Sequence, residues 1–184
     1  PPAFLQSNVP PAIHESRSEW MLEKSIELGF ETFYTHAADV GDRATVQALG
    51  ERMQSAGIVL NGGLGANWAA SADEWDREWH DKVVDHVALN AVGHVTVATV
   101  THLMAGIHNH FTTEPPVEEQ IDRAIRNFRT VLPQCENHGV TLAFENHMDY
   151  RLSEVVALVE GLGSEFARIT LDTANPFLVL EDPL

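Results

Sequence analysis

Apolar residues recur along the chain at two periods, and the switching between them gives the first structural message. Leu22 and Ile26, then Val46, Leu49 and Met53, then Trp75, Trp79, Val83 and Val87, then Ile121, Ile125, Phe128 and Leu132 stand three or four residues apart. Each set forms one apolar stripe with a polar back, the signature of a helix lying on a core. Each helical stretch runs into a glycine, and an apolar, β-branched stretch follows almost at once. Leu28-Gly29-Phe30 leads into ETFYT, Ala56-Gly57-Ile58 into VLNGG, Val92-Gly93-His94 into VTVATV, His138-Gly139-Val140 into TLAFE, and Gly163 precedes ARITLD. Glycine suits the left-handed position after a helix, so each junction predicts a helix stop and a strand start.

The predicted strands are residues 3–8, 31–35, 58–61, 94–100, 140–146 and 167–172. Strands separated by whole helices are joined by right-handed crossovers and lie parallel, which defines an α/β fold. Two architectures satisfy this pattern, the open doubly wound sheet and the eight-stranded barrel. Neither gains from a phosphate fingerprint. Asn61-Gly62-Gly63-Leu64-Gly65 lacks the GxGxxG spacing and reads as a flexible loop. Ser71-Ala72-Asp73-Glu74 predicts a capping box for the third helix, and Pro133 is expected to kink or shorten the fourth. A barrel usually takes about 250 residues. The chain, read as a single domain over 1–184, is therefore expected to carry about six of eight βα units, incomplete at its C-terminal side. The absence of an initiator Met leaves room for a further segment in front.

Charge and composition narrow the partners. Eleven Lys and Arg against 27 Asp and Glu give a net charge of −16, which argues against nucleic acid and anionic membrane surfaces. No apolar run reaches the roughly 18 residues of a membrane span, and the N-terminal stretch PPAFLQSNVPP has no signal-peptide pattern. The single Cys135 excludes an internal disulfide and a thiolate zinc cluster, which fits a reducing compartment and makes the cytoplasm the expectation.

Chemistry in a βα barrel sits at the carboxyl ends of strands. Two ends carry acids: Thr141-Leu142-Ala143-Phe144-Glu145-Asn146-His147 and Arg168-Ile169-Thr170-Leu171-Asp172-Thr173-Ala174-Asn175. Alternation along a strand places Glu145 with Thr141 and Ala143, and Asp172 with Thr170. If both sets face the barrel axis, two carboxylates stand on neighbouring strands about 4.8 Å apart. They repel unless a cation or proton separates them. A divalent metal is one answer, and hard oxygen ligands suit Mn²⁺ or Mg²⁺, an added imidazole Mn²⁺, Co²⁺ or Zn²⁺. Capping of the next helix, or an Arg partner, is the other.

The stretch from Gly139 to Leu184, with LAFENHMDY, a helix and ITLDTANPFLVLEDP, resembles the xylose isomerase-like TIM-barrel superfamily of sugar and sugar-phosphate isomerases and epimerases. The upstream helix-Gly-strand rhythm agrees. The resemblance implies a (β/α)8 barrel holding one divalent ion, most often Mn²⁺, through a Glu after strand five, an Asp after strand six, and a His and a Glu from the last two strands. Glu145 and Asp172 match the first two by position, and the other two have no counterpart before Leu184. In the ketose epimerase branch the strand-five Glu also moves a proton on the carbon beside the carbonyl, so Glu145 is the candidate acid/base.

The implied activity is a metal-assisted isomerase or epimerase acting on a small sugar, keto-sugar or polyol. The same scaffold supports inosose dehydratase-like and C-glycoside-cleaving lyases, and a barrel with two of four ligands is also compatible with a non-catalytic chain that binds a partner, or with a homo-oligomer. Many epimerases and the related apurinic-site endonucleases carry a His where this chain has Asn175, which together with the acidic charge argues against the endonuclease. His36 and His102 at strand ends, His147, Asn175 and Trp68 are the candidates for lining a substrate pocket. His108 and His110 fall in a long segment read as an exposed loop or lid, while Trp75 and Trp79 read as core.

Overall fold

The computed structural model describes residues 17–104, 111 and 114–182. The strand expected at 3–8 and the pair His108 and His110 lie outside these residues. Helix α1 (Arg17–Glu27) precedes β1 (Thr32–Thr35), the short α2 (Ala37–Val40) and α3 (Arg43–Ser55). β2 (Val59–Gly63) is followed by α4 (Ala72–Glu74), a π-helical turn (Trp75–Trp79) and α5 (His80–Val92). β3 (Val97–Val100), α6 (Val117–His138), β4 (Thr141–Glu145), α7 (Leu152–Leu162), β5 (Ala167–Thr170) and a 3₁₀ turn (Asn175–Val179) complete the order.

The strands lie in the order β1-β2-β3-β4-β5, and each neighbouring pair is parallel. Every crossover thus advances in the same direction. A doubly wound sheet reverses at a switch point, so this sequential order selects the barrel. Four of the five junction glycines, Gly29, Gly57, Gly139 and Gly163, have φ between 61° and 72°, as the helix-stop reading requires. The third junction differs. There His94 takes the left-handed conformation at φ 59°, and the strand begins only at Val97. Gly93 serves contact instead: a Cβ on Gly50 of α3 would lie 2.3 Å from the Gly93 carbonyl oxygen, so these glycines let α3 and α5 approach.

The expected capping box forms in part, with the Ser71 side chain accepting from the Glu74 amide at 3.4 Å. Pro133 does not shorten its helix, which runs through it from Val117 to His138. The proline ring is accommodated because the strong apolar face of α6 (Ile121, Phe128, Val131, Leu132 and Cys135) is buried along both flanks of that turn. The main core fills the space between β3 and β4 and helices α5, α6 and α7. Phe128 sits at its centre, stacked on Trp68 at 3.8 Å and meeting Phe144 edge-on at 4.6 Å. A smaller cluster of Leu22, Phe33, Met53, Ile58, Leu60 and Val95 underlies β1 and β2. Among the described residues no helix is long and apolar enough to cross a membrane.

Candidate functional site

Parallel strands of a βα barrel all present their carboxyl ends to one mouth, and the segments after β3, β4 and β5 meet there. Glu145 closes β4, opposite Thr170 of β5 in register. The Thr101 hydroxyl, just past β3, donates to its Oε2 at 3.1 Å, and the Asn175 side-chain amide donates to its Oε1 at 3.2 Å. Both donors are neutral, so they orient the carboxylate and leave its charge in place. That charge reaches Tyr34 at the end of β1. Partial burial raises the Tyr34 phenol pKa first, and the negative charges of Glu145 and Asp39 raise it further.

Asp172 is held differently. Its Oδ1 accepts from the backbone amides of Ala174 at 2.7 Å and Asn175 at 3.1 Å, so it caps the turn that leads into Asn175–Val179 rather than a helix, the N-cap of that 3₁₀ turn being Ala174. Its Oδ2 takes no hydrogen bond from the described residues. Buried Asn146 ties the two strand ends together: its amide donates to the Asp172 carbonyl at 2.8 Å, and the Asp172 amide donates to its Oδ1 at 2.7 Å. This reciprocal pair continues the β4 and β5 ladder by side chain after the strands end. Asn175 then joins Glu145 to the turn that Asp172 caps, so the two acids share one hydrogen-bonded frame.

A second group lies beside Glu145. His102 and His147 meet edge to face with ring centroids 4.3 Å apart, and Asp149 stands between their Nδ1 atoms. Asp149 Oδ1 is 3.2 Å from His147 Nδ1, and its Oδ2 is 3.5 Å from His102 Nδ1. The aspartate is 5% exposed. Among the described residues this is the one group of three His, Cys, Asp or Glu whose ligand atoms all lie within 4.8 Å. The Tyr150 hydroxyl donates to Gln120 on α6 and anchors the segment that carries both His147 and Asp149.

A sequence profile for the xylose isomerase-like TIM barrel matches residues 22–184. The chain belongs to this family. Among solved structures it is similar to D-psicose 3-epimerase from Clostridium cellulolyticum H10 crystallised with D-tagatose, with TM-score 0.73 and 17% identity over 87% of this chain and 59% of that one. An L-ribulose 3-epimerase gives TM-score 0.68 and 21% identity over 87% of this chain and 56% of that one. The apo 3-keto-D-glucoside 4-epimerase from E. coli gives 0.66 and 12% over 82% and 61%. The chain thus spans about three fifths of the length of these structures. No match was found among curated proteins.

Within this family fold, the expected pocket residues divide. Glu145, Asp172 and Asn175 come together, and His102 joins His147. His36 lies farther round, beyond β1. Its Nε2 shares a hydrogen bond of 3.1 Å with the Tyr34 hydroxyl, and its ring occupies the place a Gly63 side chain would take, 2.2 Å from such a Cβ. Of the glycine run expected to be a flexible loop, Gly62 and Gly63 instead close β2 and serve close packing, with Gly62 equally crowded by Asn90. Trp68, expected to line a pocket, is 0% exposed and stacked on Phe128, so it packs the core. Its loop turns inward because Asn127 donates to the carbonyl oxygens of Trp68 and Ala70 at 2.8 and 3.1 Å. Asp149 and Tyr34 escaped the sequence reading. The spacing His147-x-Asp149 was the available sign for the first, and the aromatic strand end for the second.

Proposed function

We propose that this chain carries the acid/base and part of the metal site of a sugar isomerase or epimerase, with Glu145 as the proton-transferring group. The observation behind this reading is the setting of Glu145: a carboxylate at a strand end, fixed through both oxygens by the neutral donors Thr101 and Asn175. A carboxylate so held presents a fixed geometry for proton transfer. The similar solved structures, 3- and 4-epimerases of ketoses and of a keto-glucoside, agree with a small sugar as substrate.

The donor chemistry fits a divalent ion. Glu145 and Asp172 would supply oxygen ligands, a set suited to Mn²⁺ or Mg²⁺. Such an ion, when bound, polarises a carbonyl or hydroxyl oxygen of the substrate. The chain's own residues prepare one side of the reaction. Asn146 keeps the backbone of Asp172 in line with β4, Thr101 and Asn175 aim the Glu145 carboxylate, and Glu145 takes the proton from, or delivers one to, one face of the carbon beside the carbonyl, inversion there requiring a second acid/base on the opposite face.

The test is wash-in of solvent deuterium at that carbon, followed by NMR in the Mn²⁺-supplemented protein with a panel of ketopentoses and ketohexoses. Glu145→Gln keeps the shape and removes the base, and exchange is expected to fall by about 10²- to 10⁴-fold. Exchange at the wild-type rate in that variant overturns the assignment.

A further inference from the structure

We propose that Tyr34 is a substrate-binding residue whose hydroxyl, backed by His36, holds a sugar hydroxyl on the side of the mouth that faces Glu145. This rests on the reading that the mouth takes a small sugar, and it adds the group that grips the sugar away from the proton transfer.

Alternation along the strands supplies the first step. Phe33 and Leu60, partners in register, belong to the cluster that also holds Leu22 of α1 and Met53 of α3, so this face of β1 is the helix side. Tyr34 follows Phe33 and projects from the other face, towards the barrel axis. On β4, Leu142 and Phe144 lie in the core with Phe128 of α6, so Glu145 shares the axial face. Both groups stand at the carboxyl ends of their strands, with β2 and β3 between them. Three strand spacings amount to roughly 14 Å along the curved sheet. Partial burial raises the Tyr34 pKa, and across that space the charge of Glu145 raises it further. The phenol therefore keeps its proton, and its residue is 46% exposed, open to a ligand.

The hydroxyl is also held in place. It lies 3.1 Å from His36 Nε2, with the two rings edge to face. Gly63, the last residue of β2, makes the space: a Cβ there would stand 2.6 Å from the Tyr34 hydroxyl oxygen and 2.2 Å from His36 Cε1. Any side chain at that position would displace the pair. A side chain fixed in advance lowers the ordering cost that a ligand otherwise meets.

One hydrogen bond to His36 leaves the Tyr34 hydroxyl with the complementary capacity. If its O–H donates to Nε2, an oxygen lone pair is left to accept; if Nε2–H donates to it, the phenol proton is left to give. A sugar hydroxyl meets either case, because it both donates and accepts. A phosphate or carboxylate does not suit the place, since Glu145 and Asp39 both act on Tyr34 with negative charge. The group recognised is thus a neutral hydroxyl.

The experiment is NMR titration of the full chain, supplied with Mg²⁺, with a panel of ketopentoses and ketohexoses, and then with each monodeoxy analogue of the tightest binder. One deoxy position is expected to weaken binding by about 3- to 10-fold through the loss of a neutral hydrogen bond to Tyr34. Tyr34→Phe keeps the ring, and it is expected to bind the parent sugar weaker by the same factor and to stop distinguishing it from that one analogue, while discrimination at the other positions stays. His36→Leu is expected to reduce discrimination at the same position alone. A purely structural role would weaken the parent and every analogue alike, and circular dichroism identifies a variant that fails to fold. Discrimination at every position kept in Tyr34→Phe, a loss spread evenly over all analogues, or no ketose bound by the folded chain overturns the proposal. Glu145→Gln is read by deuterium wash-in and not by affinity, so wild-type exchange in that variant would end the proton-transfer assignment and leave the Tyr34 result standing.

Discussion

Strands β4 and β5 are hydrogen-bonded neighbours and each delivers one candidate carboxylate, yet they hold it by different means. In β4, Leu142, Ala143 and Phe144 are all buried, as in a strand covered on both faces. In β5 only Ala167 is buried, while Ile169 is 37% exposed and Leu171 beyond it 59%. Glu145 therefore inherits its position from the core, through Phe144 and the Phe128–Trp68 stack one residue away. Asp172 inherits its position from local hydrogen bonds, those of Asn146 and its own cap. A carboxylate placed by packing is as rigid as the domain, whereas one placed by a few polar contacts is as secure as those contacts.

Stability measurements can break this comparison most directly. Phe144→Ala is expected to cost about 3–5 kcal/mol in urea unfolding, the range for removing a buried aromatic ring. Ile169→Ala on β5 is expected to stay within about 1 kcal/mol, as partly exposed sites do. Equal losses would mean that β5 is packed as tightly as β4 and would end the distinction.

A smaller effect sharpens it. Asn146→Ala removes both bonds to the Asp172 backbone, at a cost of about 1–3 kcal/mol. Amide hydrogen exchange should show the Asp172 amide losing protection while the amides within β4 keep theirs. Unchanged exchange at Asp172 would show that the cap alone holds it.

The smallest effect concerns Cys135, buried on α6 behind β4. Burial pushes its thiol pKa from 9.0 up to about 12. At pH 8 the folded protein then holds about three orders of magnitude less thiolate than a free cysteine, so iodoacetamide should label it only as fast as the chain opens. The linked stability does not vary with pH around neutrality. The raised pKa favours the folded state in full below pH 9, and that contribution is lost as pH climbs from 9 towards 12, because the unfolded chain releases its proton first. Rapid labelling of native protein at pH 8 would contradict the burial of this face.

Much of this was legible along the chain because it is local. The helix-Gly-strand junctions depend on a few adjacent residues, and four of them have the expected left-handed glycine. The third junction differs, with His94 in the left-handed position and Gly93 in contact with Gly50 on another helix. Trp68 looked available because it stands in a loop, but the polar anchor that turns that loop inward, Asn127, lies in α6. Asp149 carried only the spacing His147-x-Asp149 as a sign until the fold brought His102 to it.

The sequence by itself determined the alternation of helices and strands, the parallel α/β class, the acids at two strand ends and the family they resemble. All of these follow from periodicity and short-range chemistry. Only the tertiary structure decided that the strands run in sequential order, that Asn146 and Asn175 join the two acids, that Trp68 is core, and that two histidines from different strands converge on one buried aspartate. These are contacts between residues far apart in the chain, and their distances are set by how whole elements pack, which no local pattern encodes.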